Sequence, residues 1–256
     1  MRSKNIVIIT GASSGMGKEF AFQIDCLFTK IDEIWLIARR KDRLRELSRN
    51  LETKTRILSM DVSDKEDMED FYALLQEEQP KIRMLINCAG YGLMGRVSDI
   101  PIAKQLGMID VNVRALTDMT YACLPYLAKH ARIIQLASAA AFLPQKNFAV
   151  YAAGKSYVLS FSRALAEELR PKKISVTAVC PGPVETEFFD HADTYGHSLL
   201  MKEKTIVSAD RVVKKALYDS LKGRQISVCS PLMQAFMLIC KILPHKFIFF
   251  VMRFLK

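Results

Sequence analysis

Apolar residues recur along this chain with two alternating periods. Short runs, rich in Ile, Val and Leu, occupy 5–10, 33–38, 56–60, 84–87, 131–137, 174–179 and 225–229. Runs of that length and composition read as strands buried on both faces. Between them the apolar positions return at helical spacing: Phe20, Phe22, Ile24 and Leu27, then Leu44, Leu47 and Leu51. Further helical patterns cover 64–79 (opened by Asp64 as a cap), about 103–128, the stretch holding Val158, Leu159, Phe161, Leu165 and Leu169, and 209–221. Strands alternating with helices make βαβ units, and these build a parallel sheet covered on both faces. The pattern therefore predicts an α/β, doubly wound seven-stranded sheet in a single domain spanning 1–256. Residues 187–205 have weaker periodicity and read as a partly helical substrate lid.

The chemistry sits where strands end. After the first strand comes Thr10-Gly-Ala-Ser-Ser-Gly-Met-Gly17, and then a helix. Strand, glycine loop and helix form the context in which backbone approaches a pyrophosphate and the helix N-terminus supplies amide donors. Gly11, Ser13, Ser14, Gly15, Met16 and Gly17 are thus candidates for coenzyme contact, in a Rossmann-type unit. The spacing G-x-x-x-G-x-G departs from the usual G-x-G-x-x-G. At the end of the second strand an NAD-binding unit would place a carboxylate, roughly 20 residues past the loop. Arg39 and Arg40 stand there instead, and a guanidinium suits a 2′-phosphate. The expected coenzyme is NADP(H).

Asp61-Val62 ends the third strand, where a carboxylate can accept from an adenine amino group. Asn87-Cys-Ala-Gly90 ends the fourth and lets backbone lie close to a flat ring, which adds Asn87, Ala89 and Gly90 to the coenzyme candidates. Asn112 falls between Val111 and Val113 on the long helix, and a buried amide must be hydrogen-bonded, as an ordinary core Asn also would be. Ser138 follows the fifth strand. Tyr151 and Lys155 lie four apart near the start of the next helix, so they share one face. An ammonium beside a phenol favours the phenolate and lowers its pKa, which would fit Tyr151 to exchange a proton with a carbonyl or alcohol oxygen held by Ser138. The sixth strand ends in Cys180-Pro-Gly-Pro-Val-Glu-Thr186, a stiffened loop at a carboxyl edge where ligands bind in such sheets.

Bulk composition narrows the class without changing it. The chain has 256 residues, 50% hydrophobic and 25% charged, enough for a full core. The net charge of +10 is compatible with nucleic acid, an anionic membrane or an anionic ligand. Basic residues interleaved with aromatic ones for base stacking are absent outside the extreme C-terminus, which argues against nucleic acid. Six scattered cysteines show no C-x-x-C spacing and no cluster with His, so no metal site is expected and the thiols read as free, in a reducing cytoplasmic setting.

Taken together and in order, Thr10-Gly-x-x-x-Gly-x-Gly17, Asp61-Val62, Asn87-Cys-Ala-Gly90, Asn112, Ser138, Tyr151-x-x-x-Lys155 and Pro181-Gly-Pro-Val-x-Thr186 resemble the short-chain dehydrogenase/reductase family over at least 5–186. The resemblance implies catalysis by Asn112, Ser138, Tyr151 and Lys155. Tyr151 would be the acid/base and Ser138 would orient the carbonyl. Lys155 would hold the nicotinamide ribose and tune Tyr151, and Asn112 would position a water in a proton relay. It also implies nicotinamide-side contacts from Val184 and Thr186, coenzyme contacts from Pro181 and Gly182, and a homodimer or homotetramer through the long helices. Two departures stand out: Cys88 replaces a usual Asn, and Gly154 replaces a common Thr or Ser.

The hydrophobic C-terminal tail, 231–256, is split by Pro244 into two short segments, each too short to span a bilayer. Lys241, Lys246, Arg253 and Lys256 interrupt it. It can close the substrate pocket, lie peripherally on a membrane surface or enter a subunit interface. The expected activity is interconversion of an apolar small-molecule carbonyl compound, such as a steroid-like or acyl ketone, and its alcohol. The alternative is a non-catalytic NADP(H)-binding sensor or scaffold, which would not need all four of Asn112, Ser138, Tyr151 and Lys155.

Overall fold

The computed structural model describes residues 3–188, 192 and 206–254. Among them the strands are β1 (Asn5–Thr10), β2 (Glu33–Ala38), β3 (Thr55–Ser59), β4 (Lys81–Asn87), β5 (Leu127–Leu136), β6 (Ser175–Val179) and β7 (Ile226–Ser227). All pair in parallel, in the order β3-β2-β1-β4-β5-β6-β7. The direction of winding reverses between β1 and β4. Ligands bind beyond the strand carboxyl ends at such a reversal, which is where the glycine loop and the Asn87 turn lie.

The connecting helices are α1 (Gly15–Leu27), α2 (Lys41–Arg49), α3 (Lys65–Glu78), α4 (Ile102–Ile109), α5 (Leu116–Cys123), α6 (Ala149–Leu169) and α7 (Ala209–Leu221). Alternate residues of β1 feed two cores because strand side chains alternate sides. Ile6 and Ile8 pack with Phe71 and Leu75 of α3, Met119 of α5 and Leu165 of α6. Val7 and Ile9 pack with Phe20 and Ile24 of α1, Leu44 of α2 and Val213 of α7. Helices thus cover both faces, as the apolar pattern predicts, and Asp64 caps α3 by accepting from Glu66 N and Asp67 N at 2.9 and 3.1 Å.

The long helix expected over 103–128 differs in two ways. A π-helical turn, Asp110–Ala115, separates α4 from α5, and the helix stops early. Pro125 lies in the 3₁₀ turn Leu124–Tyr126, and a proline without an amide donor cannot continue the ladder. Leu127 then pairs with Ile82 and opens β5. The tail forms α8 (Pro231–Ile242) and α9 (His245–Phe254), with no helix among the described residues long and apolar enough to cross a membrane.

A buried carboxylate ties the start of β2 to the residues around it. Glu33 accepts from the Trp35 indole Nε1 at 3.1 Å and lies 3.5–3.8 Å from the cations of Lys4, Lys54 and Arg56. Glu33→Ala would leave the indole N–H without its acceptor and three cations without their shared anion. It is expected to lower stability by about 2–3 kcal/mol. Urea unfolding followed through Trp35, the one tryptophan in the sequence, measures this.

Candidate active site

The coenzyme cradle is built by chain approaches that exclude side chains. Gly11 has φ +66°, and a Cβ there would lie 2.8 Å from Ala89 N. A Cβ on Gly17 would lie 2.2 Å from Gly11 O, so α1 can start against the loop only with glycine at that position. Thr10 Oγ1 accepts from Cys88 N and Ala89 N at 3.0 and 3.1 Å, tying the end of β1 to the turn after β4. Ser14, the N-cap of α1, makes no side-chain cap bond, and no acid lies in the first turn. The first amides of α1 and their positive potential are therefore available to an anion. These features fit a dinucleotide pyrophosphate. Thr186, from the loop after β6, packs against the loop at Gly15, and Pro181 O accepts from Ala139 N at 2.8 Å. Val184 pairs with Val207 and Gly182 packs on Met233 of α8, so the loop after β6 is braced on both sides.

The structure separates the two arginines. Arg40 reaches the glycine loop, with Nε donating to Ser13 Oγ at 3.2 Å and Nη2 to Ser13 and Ser14 at 3.1 and 2.7 Å. Its Nη1 meets Glu187 Oε2 at 3.0 Å. Arg39 is largely exposed and holds Asp61 at 3.5 Å. Burial raises the Asp61 carboxyl, but hydrogen bonds from the Ser63 hydroxyl and amide, helped by Arg39, outweigh it and hold the group below its usual range. Val62 is buried beside it, and Asn87 donates to Thr120 and Gln135, both at 2.9 Å.

Ser138, Tyr151, Lys155 and Asn112 converge at the carboxyl ends of β4 and β5. Tyr151 and Lys155 project from the first turns of α6, both buried. The Ser138 hydroxyl lies near enough to the Tyr151 phenol to favour its ionised form, and it accepts from Ala140 N at 3.1 Å. Lys155 Nζ donates to Leu136 O at 2.7 Å and lies 5.6 Å from the Tyr151 ring centroid. Asn112 lies within the π-helical turn. Its amide accepts from Tyr91 N at 3.1 Å and donates to Tyr91 O at 2.8 Å. Gly90 runs between Asn112 and Lys155: a Cβ there would lie 2.5 Å from Asn112 Oδ1 and 3.4 Å from Lys155 Nζ.

Burial sets the titration of the pair, against expectation. Sequence reasoning has the ammonium lowering the phenol. In the structure burial pushes Tyr151 up to about 12, with only the Ser138 hydrogen bond opposing it. Burial also pulls Lys155 down to about 8, since a desolvated ammonium loses stability. At neutral pH the arrangement is a proton-bearing phenol beside a charged amine.

Two aromatic contacts carry no sequence motif. Phe148 stacks on Tyr151 at 4.2 Å between centroids, and Phe188 lies 5.5 Å away. With Leu93, Met94, Ile100 and Met108 they make an apolar wall around the phenol. Neither family departure disturbs the site. A Cβ on Gly154 would make an ordinary 3.5 Å contact with Val113, and burial pushes the Cys88 thiol up to about 12, leaving it inert. The lid expected over 187–205 lies outside the described residues, apart from Glu187, Phe188 and Ala192.

Comparison with known proteins agrees with this geometry. The profile of the family described as short chain dehydrogenase matches residues 5–194. A sulfoacetaldehyde reductase of Chromohalobacter salexigens is 31% identical, covering 88% of this chain and 91% of its own. An NADP-dependent 3-hydroxy acid dehydrogenase of Schizosaccharomyces pombe is 36% identical over 71% of this chain and 72% of its own. A short-chain dehydrogenase from Sphingobium yanoikuyae, solved in complex with NADPH, superposes with a TM-score of 0.77 at 26% identity, covering 94% of this chain and 96% of its own. The chain belongs to the short-chain dehydrogenase/reductase family and is an oxidoreductase on the Rossmann fold.

Proposed function

We propose that the protein is an NADP(H)-dependent reductase that converts an apolar carbonyl compound to its alcohol, and the reverse at higher pH. One observation carries the reading. A phenol lies beside a serine hydroxyl in a buried apolar site, next to a buried ammonium held by a backbone carbonyl, at the mouth of a phosphate-ready groove.

The glycine loop from Gly11 to Gly17, with Ser13, Ser14 and Met16, would hold the pyrophosphate on the α1 N-terminus. Arg40 and Arg39 would take the 2′-phosphate, and the NADP(H) named for two of the similar proteins supports that choice. Asp61 and Val62 would flank the adenine, and Asn87, Ala89 and Gly90 the adenosine ribose side. Pro181, Gly182, Val184 and Thr186 would line the nicotinamide side. When bound, the reduced nicotinamide supplies a hydride. The chain's own residues do the rest. Ser138 binds and polarises the substrate oxygen, and Tyr151 gives that oxygen its proton. Lys155 holds positive charge beside the phenol, favouring the phenolate that the transfer leaves. Asn112 holds the Tyr91 backbone, and with it Gly90, at the edge of the site. The wall of Leu93, Met94, Phe148 and Phe188 favours an apolar substrate over a hydrated one.

The tail supports a peripheral role beside this chemistry. Its inner face, Phe236, Cys240, Ile248 and Phe249, packs on Phe142 and Leu143. Its outer face exposes Leu232, Leu238, Ile239, Ile242 and Phe247. From Ser220 to the last residue the sequence holds six Lys or Arg and no Asp or Glu. Two such faces would repel each other, whereas an anionic lipid surface complements both the charge and the apolar side chains. A second copy fits better on the helices, where Leu106, Ile109, Tyr121 and Tyr157 are exposed.

Three measurements follow from these assignments. NADPH oxidation with a panel of hydrophobic ketones should show turnover, and Tyr151→Phe should lose about 10³-fold in kcat with coenzyme affinity kept. Tight NADPH binding with silence across the panel supports the sensor alternative instead. Lys155 is cationic only below about 8, while Tyr151 keeps its proton to about 12. The reduction rate should therefore be level in the neutral range and fall through one ionisation near pH 8. A profile level to about pH 10 would detach Lys155 from the proton step. Vesicles containing phosphatidylglycerol should sediment the full chain, pure phosphatidylcholine vesicles much less, and Ile239→Glu with Ile242→Glu neither. Equal recovery with both lipids removes the charge argument, and light scattering on the same samples reports whether a dimer or larger assembly forms.

A further inference from the structure

The guanidinium that would receive a 2′-phosphate is already engaged by a carboxylate. Arg40 has five N–H donors. Four hydrogen bonds draw on them: Nε and Nη2 to Ser13, Nη2 to Ser14, and Nη1 to Glu187. The other oxygen of Glu187 takes Arg43 Nη1, so one carboxylate bridges two arginines at the start of α2. Glu187 comes from the opposite side of the groove. It follows Thr186, which packs on the glycine loop at Gly15. The bridge therefore crosses from the loop after β6 to the basic run after β2, over the edge of the coenzyme cradle. The two guanidiniums, through hydrogen bonds from Arg40 and Arg43, hold the Glu187 carboxyl below its usual range, so it is an anion at working pH.

The geometry points to Glu187 as a determinant of coenzyme choice: an internal anion that competes with the coenzyme 2′-phosphate for Arg40 and Arg43, and so weakens discrimination for NADPH over NADH. This inference rests on the NADP(H) reading above and adds a residue that opposes it. A 2′-hydroxyl makes no comparable demand on Arg40, so NADH can enter with the bridge intact. A 2′-phosphate must displace the carboxylate to gain the bidentate contact that favours arginine for phosphate. Neutralising Glu187 removes the competitor and leaves both arginines in place. Its side chain is 43% exposed, so the exchange does not disturb the core.

The test is titration calorimetry of NADPH and NADH against the full chain, Glu187→Gln and Arg40→Ala. Glu187→Gln is expected to tighten NADPH by about tenfold and to leave NADH within about twofold, in line with the removal of one charged competitor. Arg40→Ala should weaken NADPH alone. An unchanged ratio of the two affinities in Glu187→Gln overturns the inference. So does an equal loss for both coenzymes, because the bridge would then be a clamp over the shared pyrophosphate. A parent protein that binds NADH as tightly as NADPH, with Arg40→Ala indifferent to both, defeats the NADP(H) reading itself, and that pattern differs from either failure of Glu187.

Discussion

A lysine amine buried next to a phenol has to be anchored, and the bond from Lys155 Nζ to Leu136 O at the end of β5 does this. The anchor joins α6 to the central sheet. It fixes the azimuth of α6 and, one turn back, the direction of Tyr151. It also has a thermodynamic cost. The amine falls from its ordinary 10.5 to about 8 because burial disfavours its charge. A lowered amine pKa means that stability present above about pH 10.5 is lost as pH falls toward 8. The fold therefore carries the burden of a buried cation throughout the neutral range. Retaining that burden is understandable under the proposed function, where the charge would sit beside a phenol that passes a proton.

Much of this was legible in the chain. The two periods of apolar residues place every strand, because continuous Ile and Val runs have few homes other than a sheet covered on both sides. Ser138 at a strand end and Tyr151 with Lys155 on one helical face follow from spacing alone. What was not legible depends on distant packing. Nothing local to 103–128 announces the π-helical turn, within which Asn112 pairs with the backbone of Tyr91 across the site. The early start of β5 needed the partner strand as well as Pro125. The phenol's rise in pKa also escaped a pairwise argument: a nearby ammonium lowers it in principle, but burial among Phe148 and its neighbours sets the direction, opposed only by Ser138.

The basic run after β2 shows the same limit in a different form. Composition alone treats Arg39 and Arg40 as equivalent. Packing makes them unequal: one joins the serines of the glycine loop, while the other stays in solvent and holds Asp61. Arg43, three residues beyond Arg40, shares the Glu187 carboxylate that Arg40 holds. Charges that look like surface decoration in one dimension can face the same ligand in three.

The π-helical turn has a consequence for the helix that carries it. One extra residue in a turn moves everything downstream by about 100° around the axis. The stretch from Ile102 to Cys123 is then two amphipathic pieces with different azimuths on one continuous backbone. The first can be remodelled to suit a different ligand while the second keeps its apolar stripe, Met119 and Cys123, against the sheet. The π-helical turn thereby lets one continuous backbone face the site with one piece and the sheet with the other.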